Sequence, residues 1–480
     1  MPARTGKELL AGLRDDREVW LEGRRVTDVT EHPAFAGVVQ TMADLYDLQH
    51  DEADVCLVDH PTTGERINVS HVIPRSRDDL LRRHDGLERT ARFSAGLLGR
   101  SPDYLNVTFA GFAGRADVWA QNGNEEGAAN LVAFQDELAR RDLALTHTII
   151  HPTVDKSAGD LAAGGGTIAL HKVAETEHGI VVRGARVLAT LAPFVDELAV
   201  YTGQPLPEEA SRYALVFSIP MATPGLKFIC RDSYSTQGST YDHPFSSRFD
   251  EQDAFVIFDD VEVPRERVFV DGDTTVYNAT MATGWAANVM QQTSIRAYVK
   301  LLFAYELATR MSEAIGATDA ATKEMLGEIW TYAELTRAAV TAAEAGAYEW
   351  GNGTWFCDER PFRALRPTLP KWFPRVNEII KLLGSHNLLA TPTEAELDDP
   401  ALRPLLEQYF QGADGRDASE RVRLFRAAWD FVGTGFAGRN ELYERFYLAS
   451  AARTYQIAHV NAQRELSESL VDALLAAADG

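Results

Sequence analysis

The chain has 480 residues, of which 45% are hydrophobic and 24% charged, with a formal net charge of −23. Such a length calls for two or three packed units, and the balance is that of a globular chain rather than a disordered or fibrous one. The negative charge, with no basic stripe to offset it, argues against nucleic acid and anionic membranes as partners, and no apolar run approaches the roughly 18 residues of a spanning helix.

Taken in chain order, the segment from Met1 to Trp20 alternates charge with short apolar groups and shows no apolar signal core, so the expected compartment is the cytoplasm. Helix starts are marked at Thr5, at Ser76 to Asp79 and at Ser101 with Pro102. A further helical run from Gly127 to Leu145 carries the charged Arg140-Arg141-Asp142 near its end. Residues 1–145 therefore read as a helical domain. Residues 146–272 have the texture of strands. Gly179 to Thr190 is rich in β-branched residues, with a turn expected between Arg183 and Ala185. Tyr213 to Met221, Leu226 to Asp232 and Asp253 to Val261 follow. Strands at this spacing predict an antiparallel barrel or sandwich rather than a parallel sheet alternating with helices. In residues 273–480 helical periodicity returns. Ile295, Val299 and Leu302 share one stripe, and Leu326, Ile329, Trp330 and Ala333 share another. A bundle is expected there, with turns between its helices at Gly351 to Gly353 and Ala413 to Gly415.

Four segments hold residues suited to chemistry. In Leu98-Gly-Arg-Ser-Pro-Asp-Tyr104, Ser101 is suited to cap a helix and Pro102 to begin it. Arg100, the helix N-terminus and Tyr104 would then converge on a small volume able to stabilise an oxyanion; the plainer alternative is a helix start with an exposed arginine and a packing tyrosine. The second segment runs from Leu145 to Lys156. His147 and His151 have the i, i+4 spacing of a helical metal pair, but Thr148-Ile-Ile150 is strand-like, Pro152 follows, and no acid or cysteine completes a site. A metal is not expected; one histidine would serve as donor or proton carrier, or both are structural. The third, Gly433-Thr-Gly-Phe-Ala-Gly438, matches GxGxxG, yet a helix rather than a strand precedes it. It reads as a glycine-rich turn before Arg439, with a helix starting near Asn440. Such a turn either brings amides to a phosphate or merely joins two helices. The fourth, Asp242 to Glu251, reads as an ordered loop, preceded by a polar stretch, Ser233 to Thr240, expected to move as lids do. Cys56, Cys230 and Cys357 are too dispersed for a disulfide framework or a metal knuckle.

Together these segments resemble the 4-hydroxyphenylacetate 3-monooxygenase large-subunit family, the oxygenase components of two-component phenol hydroxylases. The resemblance runs from Val26 to Phe35 through Gly99 to Tyr104 and Thr146 to Lys156. It continues through Ala189-Thr190, Pro244 to Glu251 and Val261 to Pro264, and ends with Gly435 to Glu444. It implies an α+β, acyl-CoA-dehydrogenase-like fold: N-terminal helical domain, central antiparallel β domain and C-terminal helical bundle. It also implies reduced FAD from a separate NAD(P)H-dependent flavin reductase, O2 as co-substrate, a homotetramer, and hydroxylation beside a phenol oxygen. On that resemblance Arg100, Tyr104 and His147 surround the phenol oxygen and the reactive flavin edge. Tyr201 and Thr202 face the substrate. His147, Thr148, Ile149, Thr153, Val154, Asp155, Lys156 and Thr190 line the flavin. Thr434, Gly435, Phe436, Ala437, Gly438 and Arg439 approach its phosphate or ribityl part. A phenolate is far richer in electrons than a phenol, so an electrophilic oxygen attacks it more readily. Each unit by which a site lowers the phenol's pKa of about 10 requires about 1.4 kcal/mol of differential stabilisation.

Two departures narrow the expectation. Where dehalogenating relatives are expected to present a histidine base, this chain reads Asn288-Val-Met-Gln-Gln-Thr293. The Tyr201 to Gln204 and Ser235 to Tyr241 segments are polar but contain no arginine or lysine for a carboxylate. A halophenol, indole or other non-phenol substrate is the alternative on the same fold. An acyl-CoA dehydrogenase or an iron–sulfur dehydratase is a more distant one, and the dispersed cysteines weigh against the latter.

Overall fold

The computed structural model describes residues 3–201, 203–235, 238–466 and 469–478. Helix α1 (Gly6–Gly12) begins with a reciprocal cap, in which the Thr5 hydroxyl accepts from the Glu8 N–H and the Glu8 carboxylate accepts from the Thr5 N–H. The next segment departs from the helical expectation. Glu18–Leu21 (β1) and Arg24–Val26 (β2) form a hairpin, and β1 pairs in parallel with Leu226–Cys230 of the central region. Strands this short and this charged have too few alternating apolar positions to register in a sequence; a distant partner strand makes them. Helix α2 (Ala36–Asp51), a hairpin of β3 (Leu57–Asp59) and β4 (Arg66–Asn68), and helices α3 (Arg77–Phe93), α4 (Asp103–Gly114) and α5 (Glu125–Arg141) follow. Ser76 caps α3 by accepting from the Asp79 N–H at 3.2 Å, and α5 ends where Asp142 turns left-handed with φ 49°. Every residue of α4 is buried, the pattern of a helix enclosed on all sides.

The central region contains β5 (Leu145–Thr148), β6 (His171–Glu175), β7 (Gly179–Thr190), β8 (Glu197–Val200), β9 (Leu215–Pro220), β10 (Leu226–Cys230), β11 (Asp253–Pro264) and β12 (Val268–Asp271). A six-stranded sheet in the order β2-β1-β10-β11-β7-β6 packs on a four-stranded sheet in the order β12-β9-β8-β5. The arrangement is a mainly antiparallel sandwich, with β1–β10 and β5–β8 as parallel pairs. Phe217 of β9 and Phe258 of β11 meet edge to face across the interior at 6.1 Å. The turn expected at Arg183 to Ala185 is absent, because β7 is one continuous strand. Gly184 has φ +120°, and a Cβ there would stand 2.6 Å from the Ala169 carbonyl oxygen, so this glycine serves a close backbone approach rather than a reversal.

The C-terminal region is helical: α6 (Trp285–Ala314), α7 (Ala320–Ala345), α8 (Glu359–Ala390), α9 (Ala418–Val432), α10 (Gly435–Phe446), α11 (Ala451–Glu465) and α12 (Leu470–Ala478). The Gly351 to Gly353 turn joins two short strands, β13 (Tyr348–Gly351) and β14 (Thr354–Phe356), instead of two helices. In α6 Ile295 and Val299 are buried, and in α7 so are Ile329 and Ala333. Trp330, assigned to the same stripe as the latter two, is 43% exposed and rests against Tyr305. None of the helices among the described residues is long and apolar enough to cross a membrane.

Candidate active site

The loop between α3 and α4 delivers Arg100. Gly99 allows the loop to lie against Tyr443 of α10, where a Cβ would come within 2.4 Å of the ring. The Arg100 N–H donates to the Glu251 carboxylate at 2.6 Å. Its guanidinium lies 4.1 Å from the centre of the Tyr104 ring and 4.3 Å from that of Tyr447, with Tyr443 at 5.6 Å. Nη1 is buried with no hydrogen-bond partner. The cation is thus held by π faces, worth up to about 2 kcal/mol each when desolvated, instead of by an acid.

Tyr104, in the first turn of α4, meets the His147 ring edge to face at 5.7 Å, and His147 meets Tyr201 at 5.1 Å. His147 comes from β5 and Tyr201 follows β8, and these neighbouring strands bring the two rings together. The His147 Nδ1 and the Tyr201 hydroxyl share a short hydrogen bond. Burial, and after it the Arg100 charge, pushes the His147 pKa well below its ordinary value, while burial pushes the Tyr201 phenol well above its own. With both groups neutral, we assign Tyr201 as donor to Nδ1, which leaves the His147 N–H on Nε2. Arg100, Tyr104, His147 and Tyr201 are therefore one cluster. Thr202 lies outside the described residues.

The helix terminus expected beside this cluster is closed. Pro102, not Ser101, occupies the cap position, with no side-chain cap. The Tyr104 N–H donates to the Ser101 carbonyl at 3.0 Å, and the N–H groups of Leu105 and Asn106 donate to that of Pro102. Ser101 and Gln292 donate to the Asp103 carboxyl, which burial nevertheless pushes up to about 6. A guanidinium and an imidazole, without helix amides, are left to face an oxyanion.

The Gly433 to Gly438 segment also differs from expectation. It begins helix α10 at Gly435, five residues earlier than predicted, with Thr434 as cap accepting from the Ala437 N–H at 3.2 Å. Phe436 and Ala437 are buried in the first turn. Arg439 is committed to protein acids: its Nη1 donates to Glu251 at 2.6 Å, and its Nε and Nη2 donate to Asp253 at 2.9 and 2.8 Å. Burial alone would raise the Asp253 pKa, but the Arg439 and Arg231 charges hold it at about 2. The Thr190 hydroxyl donates to the same carboxylate at 2.8 Å. One chain of contacts thus runs from the Arg100 N–H through Glu251, Arg439 and Asp253 to Thr190.

On the outer face of the large sheet lies a cleft of about 810 Å³, lined by residues that include Ile150, His151, Thr153, Val154, Val187 and Phe255. Its floor is apolar and open, with Val154 61% and Phe255 37% exposed. Of the expected flavin-lining residues, Thr153 and Val154 border it. The Thr148 hydroxyl donates to the Val187 carbonyl at 3.1 Å, and the Ile149 carbonyl accepts from Arg186 at 3.1 Å. Asp155 accepts from the Ser157 N–H and hydroxyl, an Asx turn that shapes the loop through Lys156. Ser233 and Ser235, in the segment expected to move, are tethered to Asp250. The loop expected from Asp242 to Glu251 contains a helical turn at Ser246–Phe249.

Residues 5–270 match the family described as "4-hydroxyphenylacetate 3-hydroxylase N terminal", and residues 276–476 match "4-hydroxyphenylacetate 3-hydroxylase C terminal". The chain belongs to the 4-hydroxyphenylacetate 3-hydroxylase family. It is 39% identical over 95% of its length to the 4-hydroxyphenylacetate 3-monooxygenase oxygenase component of Thermus thermophilus, covering 93% of that protein. It is 35% identical to the oxygenase component of 4-nitrophenol 2-monooxygenase from a Rhodococcus species, covering 92% of this chain and 85% of that one. Among solved structures, the oxygenase component of 4-hydroxyphenylacetate 3-monooxygenase complexed with FAD and 4-hydroxyphenylacetate superposes with a TM-score of 0.90 at 38% identity. That match covers 95% of this chain and 94% of the other. An archaeal 4-hydroxybutyryl-CoA dehydratase, 18% identical with a TM-score of 0.85 over 98% of this chain and 96% of that one, shares the fold. The helical, β and helical order of this 4-hydroxyphenylacetate 3-hydroxylase family member is the fold of these structures. Four residues of its cluster and clamp were not singled out from sequence: Tyr443, Tyr447, Glu251 and Asp253. The tyrosines carried a readable signal, i, i+4 spacing on one helix face.

Proposed function

We propose that this chain is the oxygenase component of a two-component monooxygenase, which takes reduced FAD and O2 and places a hydroxyl group beside the oxygen of a phenol. Its relatives are named for that class of activity, and one of them is known in complex with FAD and 4-hydroxyphenylacetate. The observation that carries the proposal is Arg100, a buried cation walled by tyrosine rings, with a free Nη1 beside a neutral His147.

The cleft suits a flavin, for its volume lies within the range of cofactor sites and its floor offers apolar surface to a planar ring. Thr153 to Lys156, with Thr148, Ile149 and Thr190, would hold it. The start of α10 would border it through the Arg439 clamp rather than through a free guanidinium. Bound there, reduced FAD with O2 supplies an electrophilic oxygen. Arg100 and the His147 Nε2–H hold the phenol oxygen as its anion. Bringing a phenol from a pKa of about 10 to near 7 takes about 4 kcal/mol. Charge-assisted hydrogen bonds of about 1.5–3 kcal/mol each are of that size. Tyr104 and Tyr201 close the pocket against water and orient the ring.

A separate NAD(P)H-dependent reductase supplies the flavin by diffusion. Three buried free cysteines accord with a reducing compartment such as the cytoplasm. The working assembly is a homotetramer, a reading supported by exposed apolar side chains on α10 and α12, Leu442, Phe446, Leu470 and Leu474 among them.

The test supplies reduced FAD from an unrelated reductase and screens phenols for catechol formation. Peroxide as the sole product from every phenol overturns the proposal. Arg100→Ala and His147→Ala are expected to keep flavin affinity while oxygen use uncouples from hydroxylation. Unchanged product yield per O2 would remove both residues from the site.

A further inference from the structure

A small cavity of about 30 Å³ lies between α2, the end of β4, α3 and the start of α4, with Gln49, Asn68, Ser70, Asp103, Asn106 and Asp142 in its wall. That is room for a single occupant about the size of a water molecule. Two oxygens of this wall have no hydrogen-bond partner: Oδ1 of Asp103 and Oδ1 of Asn106, one turn later on α4. Both side chains are more than nine-tenths buried, at 6% and 4% exposure. A buried acceptor left unmatched costs about 1–3 kcal/mol, and more where the group is charged.

The remaining polar groups of the wall satisfy one another. The Ser70 hydroxyl donates to Asn68 Oδ1 at 2.6 Å, so its proton is committed. Asn106 must therefore present its Nδ2 to Ser70 Oγ, at 3.0 Å, which leaves Oδ1 as the atom without a partner. Asn68 Nδ2 donates to Gln49 Oε1 at 3.0 Å, and Gln49 Nε2 donates to Asp142 Oδ2 at 2.7 Å. Asp142 also accepts the Arg4 N–H at 3.0 Å and faces Nε2 of His71 at 3.5 Å, so a base stands beside its charge. Asp103 has no such neighbour. Its hydrogen bonds come from neutral groups, Ser101, Gln292 and backbone N–H, and no basic side chain pairs with it among the described residues. Burial pushes its pKa up to about 6, which still leaves the carboxyl ionised near pH 8. The wall thus combines one uncompensated negative charge with one unmatched amide oxygen.

We propose that this cavity is a binding site for one monovalent cation, an alkali-metal ion or ammonium, held by Asp103 Oδ1 and Asn106 Oδ1. A water molecule would satisfy the two acceptors but leave the carboxylate charge unanswered in the interior; a cation does both. One carboxylate balances one positive charge. Calcium takes six to eight oxygens and magnesium demands a near-ideal octahedron, which a cavity of this size with two free oxygens does not supply. Nor do three His, Cys, Asp or Glu side chains gather as a transition-metal ion would require, among the described residues. Asp103 is the first residue of α4 and Tyr104 the second, so the bound ion fixes the start of the helix whose tyrosine walls Arg100. The inference is independent of the flavin cleft and of the hydroxylase reading.

The experiment crystallises the full-length protein at pH 8 with rubidium chloride as the sole alkali-metal salt and records anomalous diffraction across the rubidium edge. A peak is expected in the cavity, in contact with both oxygens. In parallel, the melting temperature of ion-stripped protein is followed against potassium, rubidium, sodium and ammonium chloride, with tetramethylammonium, too large for the cavity, holding ionic strength constant. Wild type should show a saturable rise with at least one of the four. Asp103→Asn should abolish both the peak and the rise. Cys56→Met, a longer side chain in the same wall, should do so by filling the space with Asp103 still in place, and it carries the test alone if Asp103→Asn does not fold. An ordered water in the cavity with no rubidium signal overturns the proposal. So does a wild-type melt that follows ionic strength alone, or a rise of equal size in the variants.

Discussion

Two tyrosine rings hold Arg100 where an acid would neutralise it. A paired carboxylate would take up the charge that a phenolate needs, whereas a π face supports the guanidinium and leaves its N–H groups open. The Tyr447 hydroxyl is engaged by Thr293, so the ring is fixed from behind. We expect Tyr447→Phe to retain most of the activity and Tyr447→Ala to lower kcat roughly tenfold or more, the equivalent of about 1.4 kcal/mol, with flavin affinity preserved. Steady-state kinetics beside flavin titration separate these effects, and equal losses in the two variants would mean that the hydroxyl matters instead of the face. His151 provides a second test. Burial first, and the Arg186 charge second, hold its pKa in the folded state at about 3, below the ordinary value of 6.5, so the unfolded chain binds a proton that the native one refuses. Stability is complete above about pH 6.5 and falls as pH drops from there toward 3, by at most about 1.4 kcal/mol per pH unit for this group. Urea unfolding at a series of pH values should show a shallower acid-side loss in His151→Gln, and an unchanged slope would contradict the assignment.

Helix α10 acts as a bracket between the bundle and the sandwich. Its first turns present Arg439 to Glu251 and Asp253, and its last turns present Tyr443 and Tyr447 to Arg100. Between them Glu444 accepts from Arg296 at 2.8 and 2.9 Å and from Lys300 at 2.8 Å, which anchors the helix to α6. These acids and bases are buried, so the energetic question is what a broken pair leaves behind. Arg439→Ala leaves Glu251 without a charge partner in the interior and Asp253 with Arg231 alone, and a loss of about 3–5 kcal/mol is expected. Because Glu251 also accepts the Arg100 N–H, the variant should lose catechol yield even at temperatures where it remains folded. Denaturant melts and product assays run side by side check this, and a loss below about 1 kcal/mol would show that water reaches the acids.

For the molecule as a whole, the feature that stands out is apolar surface at the C-terminal end. Leu470, Val471, Leu474 and Leu475 of α12 are between 61% and 79% exposed, and their spacing places them on one stripe. A helix of this kind, in a chain carrying a net charge of −23, is stable in water when another surface covers it. We expect light scattering to give a tetramer and Leu470→Asp with Leu474→Asp to give smaller species. A monomeric wild type would overturn the assembly.

The sequence by itself determined the order of helical, β and helical regions, because hydrophobic periodicity and caps such as Thr5 and Ser76 are local properties of the chain. It also singled out Arg100, Tyr104 and His147, which lie in short motifs whose residue types suggest an oxyanion site. Tertiary structure decided what local patterns do not encode. The β1 strand exists because β10 is there to pair with it. Gly184 serves a neighbouring carbonyl and not a turn, and the glycines after Gly433 open a helix. Most of all, the sequence does not show which of its arginines an acid will neutralise. Arg439 is neutralised by Glu251 and Asp253, nearly two hundred residues away along the chain, while the guanidinium groups of Arg100 and Arg186 pair with no carboxylate among the described residues. Whether a buried charge is spent on structure or kept for a ligand depends on which distant groups the fold brings beside it. Coulombic and desolvation energies depend on distances in space, which spacing along the chain does not supply.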